Sequence, residues 1–112
     1  MIFRKKSVNN RVHPRADFFQ PSYLLVENGG NKTVECWFIN ISRGGLAFDS
    51  EQAGLDNAVI NILYKIGQQM RKDRLSVRFA KKFLTQWRYG CQFTDTDPQR
   101  NTLIDRYIEQ KQ

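Results

Sequence analysis

Residues 87–108, WRYGCQFTDTDPQRNTLIDRYI, carry two periodicities in a single stretch. Trp87, Tyr89, Cys91 and Phe93 alternate with other residues and fall on one face of an extended chain. After an Asp-rich turn the period lengthens. Asp97 suits a helix N-cap, because its carboxylate can accept from free N–H groups of the first turn, and Pro98 suits the first helical position. Leu103, Ile104, Tyr107 and Ile108 then recur at helical spacing as one apolar stripe, which predicts a helix over about residues 98–110. The chain therefore ends as a strand, a turn and a helix that lays its stripe on whatever lies upstream.

Upstream, the pattern is strand after strand. Leu75, Val77 and Phe79 face one way over residues 75–82, while Arg74, Ser76, Arg78, Ala80 and Lys82 face the other, a basic outer face. Ile60, Ile62, Tyr64 and Ile66 alternate over 58–66, and residues 49–57 read as a loop. A short strand covers Leu46 to Phe48. Val34, Cys36 and Phe38 share a face over 33–39, with Trp37 and Ile39 on the other. SYLLVE (22–27) reads as a strand before the tight turn NGGN (28–31). Six short strands with turns between them, then one helix, predict an all-β domain with one helix, built as a six-stranded antiparallel barrel. The strand reading places Tyr64, Phe79, Trp87, Tyr89 and Phe93 inward.

The 112 residues suit one domain. We expect an arm over 1–16 and a barrel with its closing helix over 17–112. No apolar run approaches the roughly 20 residues needed to span a membrane. The start, MIFRKKSVNNR, lacks the apolar stretch of a signal peptide, so a cytoplasmic location is expected. In that compartment Cys36 and Cys91, each inside an apolar strand, read as free buried thiols. His13 is the sole histidine, and neither a metal cluster nor a nucleophile–base pair rises above chance, so no enzyme is expected.

The net charge of +7 is unevenly placed. Residues 1–16 hold Arg4, Lys5, Lys6, Arg11 and Arg15 and no acid. Residues 65–88 hold eight basic residues and one acid, Asp73. If the two segments meet, they form an anion site. Two motifs sharpen this. RVHPR sets Arg11 and Arg15 in an RxxxR spacing, which alone means little in a basic chain. NISRGG sets Asn40, Ser42 and Gly45 in the pattern [D/N]xSxxG, for which this composition gives about 0.04 matches by chance. Asn and Ser offer donors and acceptors suited to a base edge, and glycine permits close approach to the backbone.

Together and in this order, the two motifs resemble the signature of the PilZ domain family. RVHPRADF, NISRGGLAF and the closing WRYGCQFTDTDPQRNTLIDRYI resemble the family from about Asn10 to Ile108. The resemblance implies a six-stranded antiparallel PilZ-type β-barrel plus a C-terminal α-helix that binds cyclic di-GMP on its outside. It implies that Arg11 and Arg15 grip phosphate and guanine, that Asn40 and Ser42 contact guanine, and that Gly45 permits the close turn. Arg43, Arg78 and Lys81 are candidates for further phosphate contacts. Asn10 stands where some members carry an arginine associated with a stacked ligand pair, which favours one ligand per domain. Ligand binding is expected to order residues 4–16 and to signal to an effector protein. The alternatives are a small-barrel binder of single-stranded nucleic acid and a PilZ-fold adaptor that binds protein without nucleotide. Inward-facing aromatics count against the first, and the intact arginines against the second.

Overall fold

Every second residue from Ile60 to Ile66 is a large apolar group, and that alternation gives one greasy face, which a sheet can bury by closing on itself. The computed structural model describes residues 14–27 and 32–111. Its strands are β1 (Arg15–Val26), β2 (Lys32–Ser42), β3 (Gly45–Ser50), β4 (Val59–Ile66), β5 (Gln69–Phe83) and β6 (Gln86–Phe93), followed by α1 (Pro98–Lys111). All neighbours are antiparallel, and the strands close into a barrel in the order β1-β2-β3-β6-β5-β4. This is the predicted class: six antiparallel strands and one terminal helix.

The interior is filled from the inward faces. Ile60, Ile62, Tyr64 and Ile66 of β4 are all buried, as are Val34, Cys36 and Phe38 of β2. Phe18 stacks on Phe38 and meets Tyr64 and Tyr107 edge-on. Cys36 and Cys91 are buried free thiols, and burial pushes the Cys36 thiol up to about 12.

The helix starts as its cap predicts. Asp97 Oδ1 accepts from the backbone N–H of Gln99 at 2.9 Å and of Arg100 at 3.2 Å. Ile104 and Ile108 are buried in the core, Leu103 and Tyr107 pack at its margin, and the Tyr107 hydroxyl donates to the Asp17 carbonyl at 2.6 Å. That bond ties the helix to the start of β1.

Four strands differ in extent from the sequence reading, and one of them, β3, runs through Asp49 to Ser50, where the reading placed a loop. β1 starts at Arg15, seven residues before the predicted Ser22, so Arg15 and Ala16 lie in the ladder opposite Ser42 and Ile41. β5 starts at Gln69, because a two-residue turn after Ile66, with Gly67 at φ 61°, folds the polar run 69–74 back along β4. β2 runs through Asn40 and Ile41 to Ser42, where the reading placed a break. The expected strand over 22–27 also touches the turn 28–31, which lies outside the described residues.

One facing prediction is reversed. Phe79 was expected inside with Leu75 and Val77, but it is 60% exposed. Val77 pairs with Cys91 and Phe79 with Gly90, so Arg78 is an extra residue in the ladder. An inserted residue inverts the alternation beyond it, and Phe79 moves to the outer face. Phe19, Tyr23 and Trp37 are exposed as well, so the barrel carries more outward aromatics than the sequence reading assumed.

Candidate functional site

The ladder register brings the motif residues together. On the outer face one row runs Arg15, Ser42, Gly45, Gln92 across β1, β2, β3 and β6. The next outer row runs Asp17, Asn40, Ala47, Gly90, Phe79 and reaches β5. Asn40 owes its outward position to a second inserted residue, Ile39, between Phe38 and Asn40. The buried Ile41, Leu46, Cys91 and Val77 form the row between, on the inner side.

A groove of about 410 Å³ opens over these rows. Arg15, Asn40, Ser42 and Gly45 line it, joined by Arg78 and Phe79 from β5. Among the described residues its lining holds no carboxylate, in contrast to the ion-paired surface elsewhere. Small residues make its floor. A Cβ on Gly45 would stand 1.8 Å from the Cys91 carbonyl oxygen, so only glycine lets β3 lie this close to β6. The glycine of the motif thus has a structural cause within the barrel itself. A Cβ on Gly90 would stand 1.9 Å from the Phe79 ring, which rests in the space the glycine leaves.

The polar groups are partly oriented already. Ser42 Oγ accepts from the Gly44 N–H at 3.2 Å, leaving its own O–H available as a donor. Arg78 is exposed and makes no ion pair among the described residues. The arrangement presents guanidinium groups, a carboxamide, a hydroxyl and an exposed ring around a small-residue floor. That set suits a ligand that is both anionic and planar.

The other candidates lie elsewhere. Arg11 falls outside the described residues. Arg43 turns to α1 and forms a bidentate pair with Asp105, with Nε at 2.9 Å from Oδ1. Lys81 sits on the outer row with Arg88, its Nζ 5.4 Å from the Phe83 ring centroid. Neither lines the groove. Nor does the basic segment 65–88 form one wall. Arg74 is held by Glu27 and Arg88 by Asp49, and only Arg78 of this segment's cations lines the groove.

Arg71 and Arg100 belong to a separate network under the helix start. Asp73 takes Arg71 at 3.0 Å, Arg100 at 3.0 Å and the Tyr64 hydroxyl at 2.6 Å. Arg71 also reaches Asp97, and Arg100 reaches Asp95. Burial works against the Asp73 charge, but the bonds from Arg71, Tyr64 and Arg100 outweigh it and hold the carboxyl below its usual range. The Arg100 guanidinium is 1% exposed and lies 3.8 Å from the Phe93 ring centroid, with Nε facing no acceptor. Sequence reasoning missed this network and the groove's Phe79. Asp73, the lone acid among eight cations, was the available signal for the first, and the Arg78 insertion left none for the second.

The chain matches the PilZ domain family over residues 9–110. No curated protein matches it at a significant level. Among solved structures, the PilZ domain of YcgR from Escherichia coli with c-di-GMP aligns with TM-score 0.74 at 16% identity, covering 92% of each chain. The Bacillus subtilis inhibitor of motility MotI/DgrA aligns with TM-score 0.71 at 14% identity, over 91% of this chain and 51% of that one. The Klebsiella pneumoniae MrkH–c-di-GMP complex aligns with TM-score 0.65 at 17% identity, over 90% of this chain and 52% of that one. The chain thus spans about half the length of the last two proteins.

Proposed function

The chain belongs to the PilZ domain family, and on that premise we propose that it is a receptor for cyclic di-GMP, acting by binding and not by catalysis. The observation that carries the reading is the outer-face groove itself. It gathers Arg15, Asn40, Ser42 and Gly45 from both sequence motifs, adds Arg78 and Phe79, and includes no acid among its described lining residues. Solved PilZ structures of the same fold have been described with c-di-GMP, which supports the choice of ligand.

Each group has a role that its chemistry suits. Arg15 and Arg78 present planar forks that pair with a phosphate or with guanine O6 and N7. Asn40 and Ser42 complete the edge contacts of a base. Phe79 offers its exposed ring to a base face, a contact worth about 1–3 kcal/mol by truncation. Arg11, four residues before Arg15, supplies a further guanidinium; of the segment 4–16 expected to order on binding, Arg15 and Ala16 already pair in β1, and nucleotide binding orders the part before them against the groove. Backbone relaxation of free and bound protein tests that ordering; a segment equally rigid in both forms contradicts it.

Calorimetry with cyclic di-GMP on wild type and Arg15→Ala tests the receptor reading. A charge-assisted hydrogen bond contributes about 1.5–3 kcal/mol, so Arg15→Ala should bind about tenfold more weakly or worse. An absence of binding by the wild type overturns the ligand assignment, and equal binding by both removes Arg15 from the site.

A further inference from the structure

Six residues further along β1 from Arg15, the outer face changes character. Pro21 pairs with Trp37 and Tyr23 with Glu35 across β1 and β2. A groove of about 500 Å³ opens beside them, lined by Pro21, Trp37, Glu35, Asp49, Glu51 and Gln52 among others. Trp37 is 45% exposed and Tyr23 61%. Among the described residues the lining has three carboxylates and no cation, on a chain whose net charge is +7. Asp49 is neutralised by Arg88 at 2.7 Å. Glu35 and Glu51 are exposed and make no ion pair among the described residues.

We propose that this face docks an arginine- or lysine-bearing segment of a partner protein. Exposed Trp and Tyr are the residue types that anchor protein interfaces, and their ring faces attract cations. Glu35 stands opposite Tyr23 and two residues from Trp37 on the same face of β2, so one cationic side chain can meet a ring and a carboxylate together. The sign of the groove repels nucleic acid. A symmetric pair of copies would set Glu35 and Glu51 against themselves, which disfavours a dimer through this face. The inference extends the receptor reading and rests on it only for the link to nucleotide. Trp37 precedes and Asn40 follows the Phe38–Ile39 irregularity of β2, and their β3 partners are Asp49 and Ala47, so the two grooves lie along the same two strands.

Two capped five-residue peptides serve as probes, one alternating arginine with leucine and one alternating glutamate with leucine. Each is titrated into ¹⁵N-labelled protein without nucleotide, reading the Trp37 indole N–H and the β1–β3 amides. The arginine peptide should shift these resonances saturably and the glutamate peptide should leave them in place. The Glu35→Lys/Glu51→Lys variant should weaken the arginine peptide about tenfold, and Trp37→Ala by a similar factor. Equal shifts with both peptides, unaltered affinity in the charge-reversed variant, or self-association through the same resonances overturns the proposal. Calorimetry of that variant with cyclic di-GMP keeps the two readings apart. Nucleotide binding should persist there, and failure of wild type to bind nucleotide would strike the receptor reading alone.

Discussion

The groove under Arg15 and Arg78 and the network under the start of α1 are both rich in arginine, yet they do opposite work. Arg71 and Arg100 are enclosed by Asp73, Asp95, Asp97 and Tyr64. Their charge is satisfied within the fold, and they join β5 to the helix. The groove, in contrast, has no carboxylate among its described lining residues and leaves Arg78 exposed. An arginine with acids around it acts as a structural cross-link, whereas one that faces solvent with no ion pair among the described residues, as Arg78 does, is available to an anion. Net charge does not distinguish the two; the partners do.

Substitutions on the two sides should therefore separate stability from affinity. The largest effect belongs to the network. Arg100→Ala leaves the buried Asp73 short of a partner, and breaking a buried pair in this way costs about 3–5 kcal/mol. Urea unfolding should show it as a lower midpoint, with nucleotide affinity of the remaining folded protein close to wild type. An unchanged midpoint would mean that the network is not a cross-link. Arg78→Ala should do the reverse, with affinity for cyclic di-GMP down about tenfold and stability within roughly 0.5 kcal/mol of wild type. If instead it unfolds the protein and spares affinity, the contrast between the two regions collapses.

Phe79→Ala comes next. Its ring is mostly exposed, so truncation should lower stability little and weaken the nucleotide by about fivefold or more. Retained affinity would take Phe79 out of the site. The smallest effect near neutrality is that of pH. Asp73 and Asp97 both sit below the usual carboxyl range in the folded chain, Asp97 chiefly through its bond from Arg71. A depressed folded value contributes stability above the unfolded value of about 4, and that contribution is lost as pH falls through the folded value. Thermal unfolding should thus be nearly flat from about pH 7 to 5 on account of these groups and fall below about 4, with the acid loss reduced in Arg71→Ala.

The parts legible in the sequence are those set by local periodicity. Ile60, Ile62, Tyr64 and Ile66 declare an inward face because nothing interrupts their ladder, and Asp97-Pro98 declares a helix start because capping involves only neighbours. Both motifs were legible too, and Arg15, Asn40, Ser42 and Gly45 do meet in one groove. Phe79 was misplaced because an inserted residue at Arg78 is a property of pairing with β6, and periodicity within β5 carries no trace of it. Arg100 was passed over because its partners come from β5 and the turn before α1. Gln69 to Arg74 did not read as strand, since their pairing is imposed by the turn at Gly67 and their side chains are almost all polar. What went unread was in each case a contact between segments distant in the chain or a fault in a ladder.

The central claim is that the nucleotide sits on the outer face across β1, β2, β3, β6 and β5. Amide chemical-shift mapping with cyclic di-GMP measures this directly. The largest shifts should fall at Arg15, Asn40 to Leu46, Arg78, Phe79 and Gly90 to Gln92, with the amides around Arg100 nearly still. Largest shifts under the helix start, or none at saturating nucleotide, would contradict it.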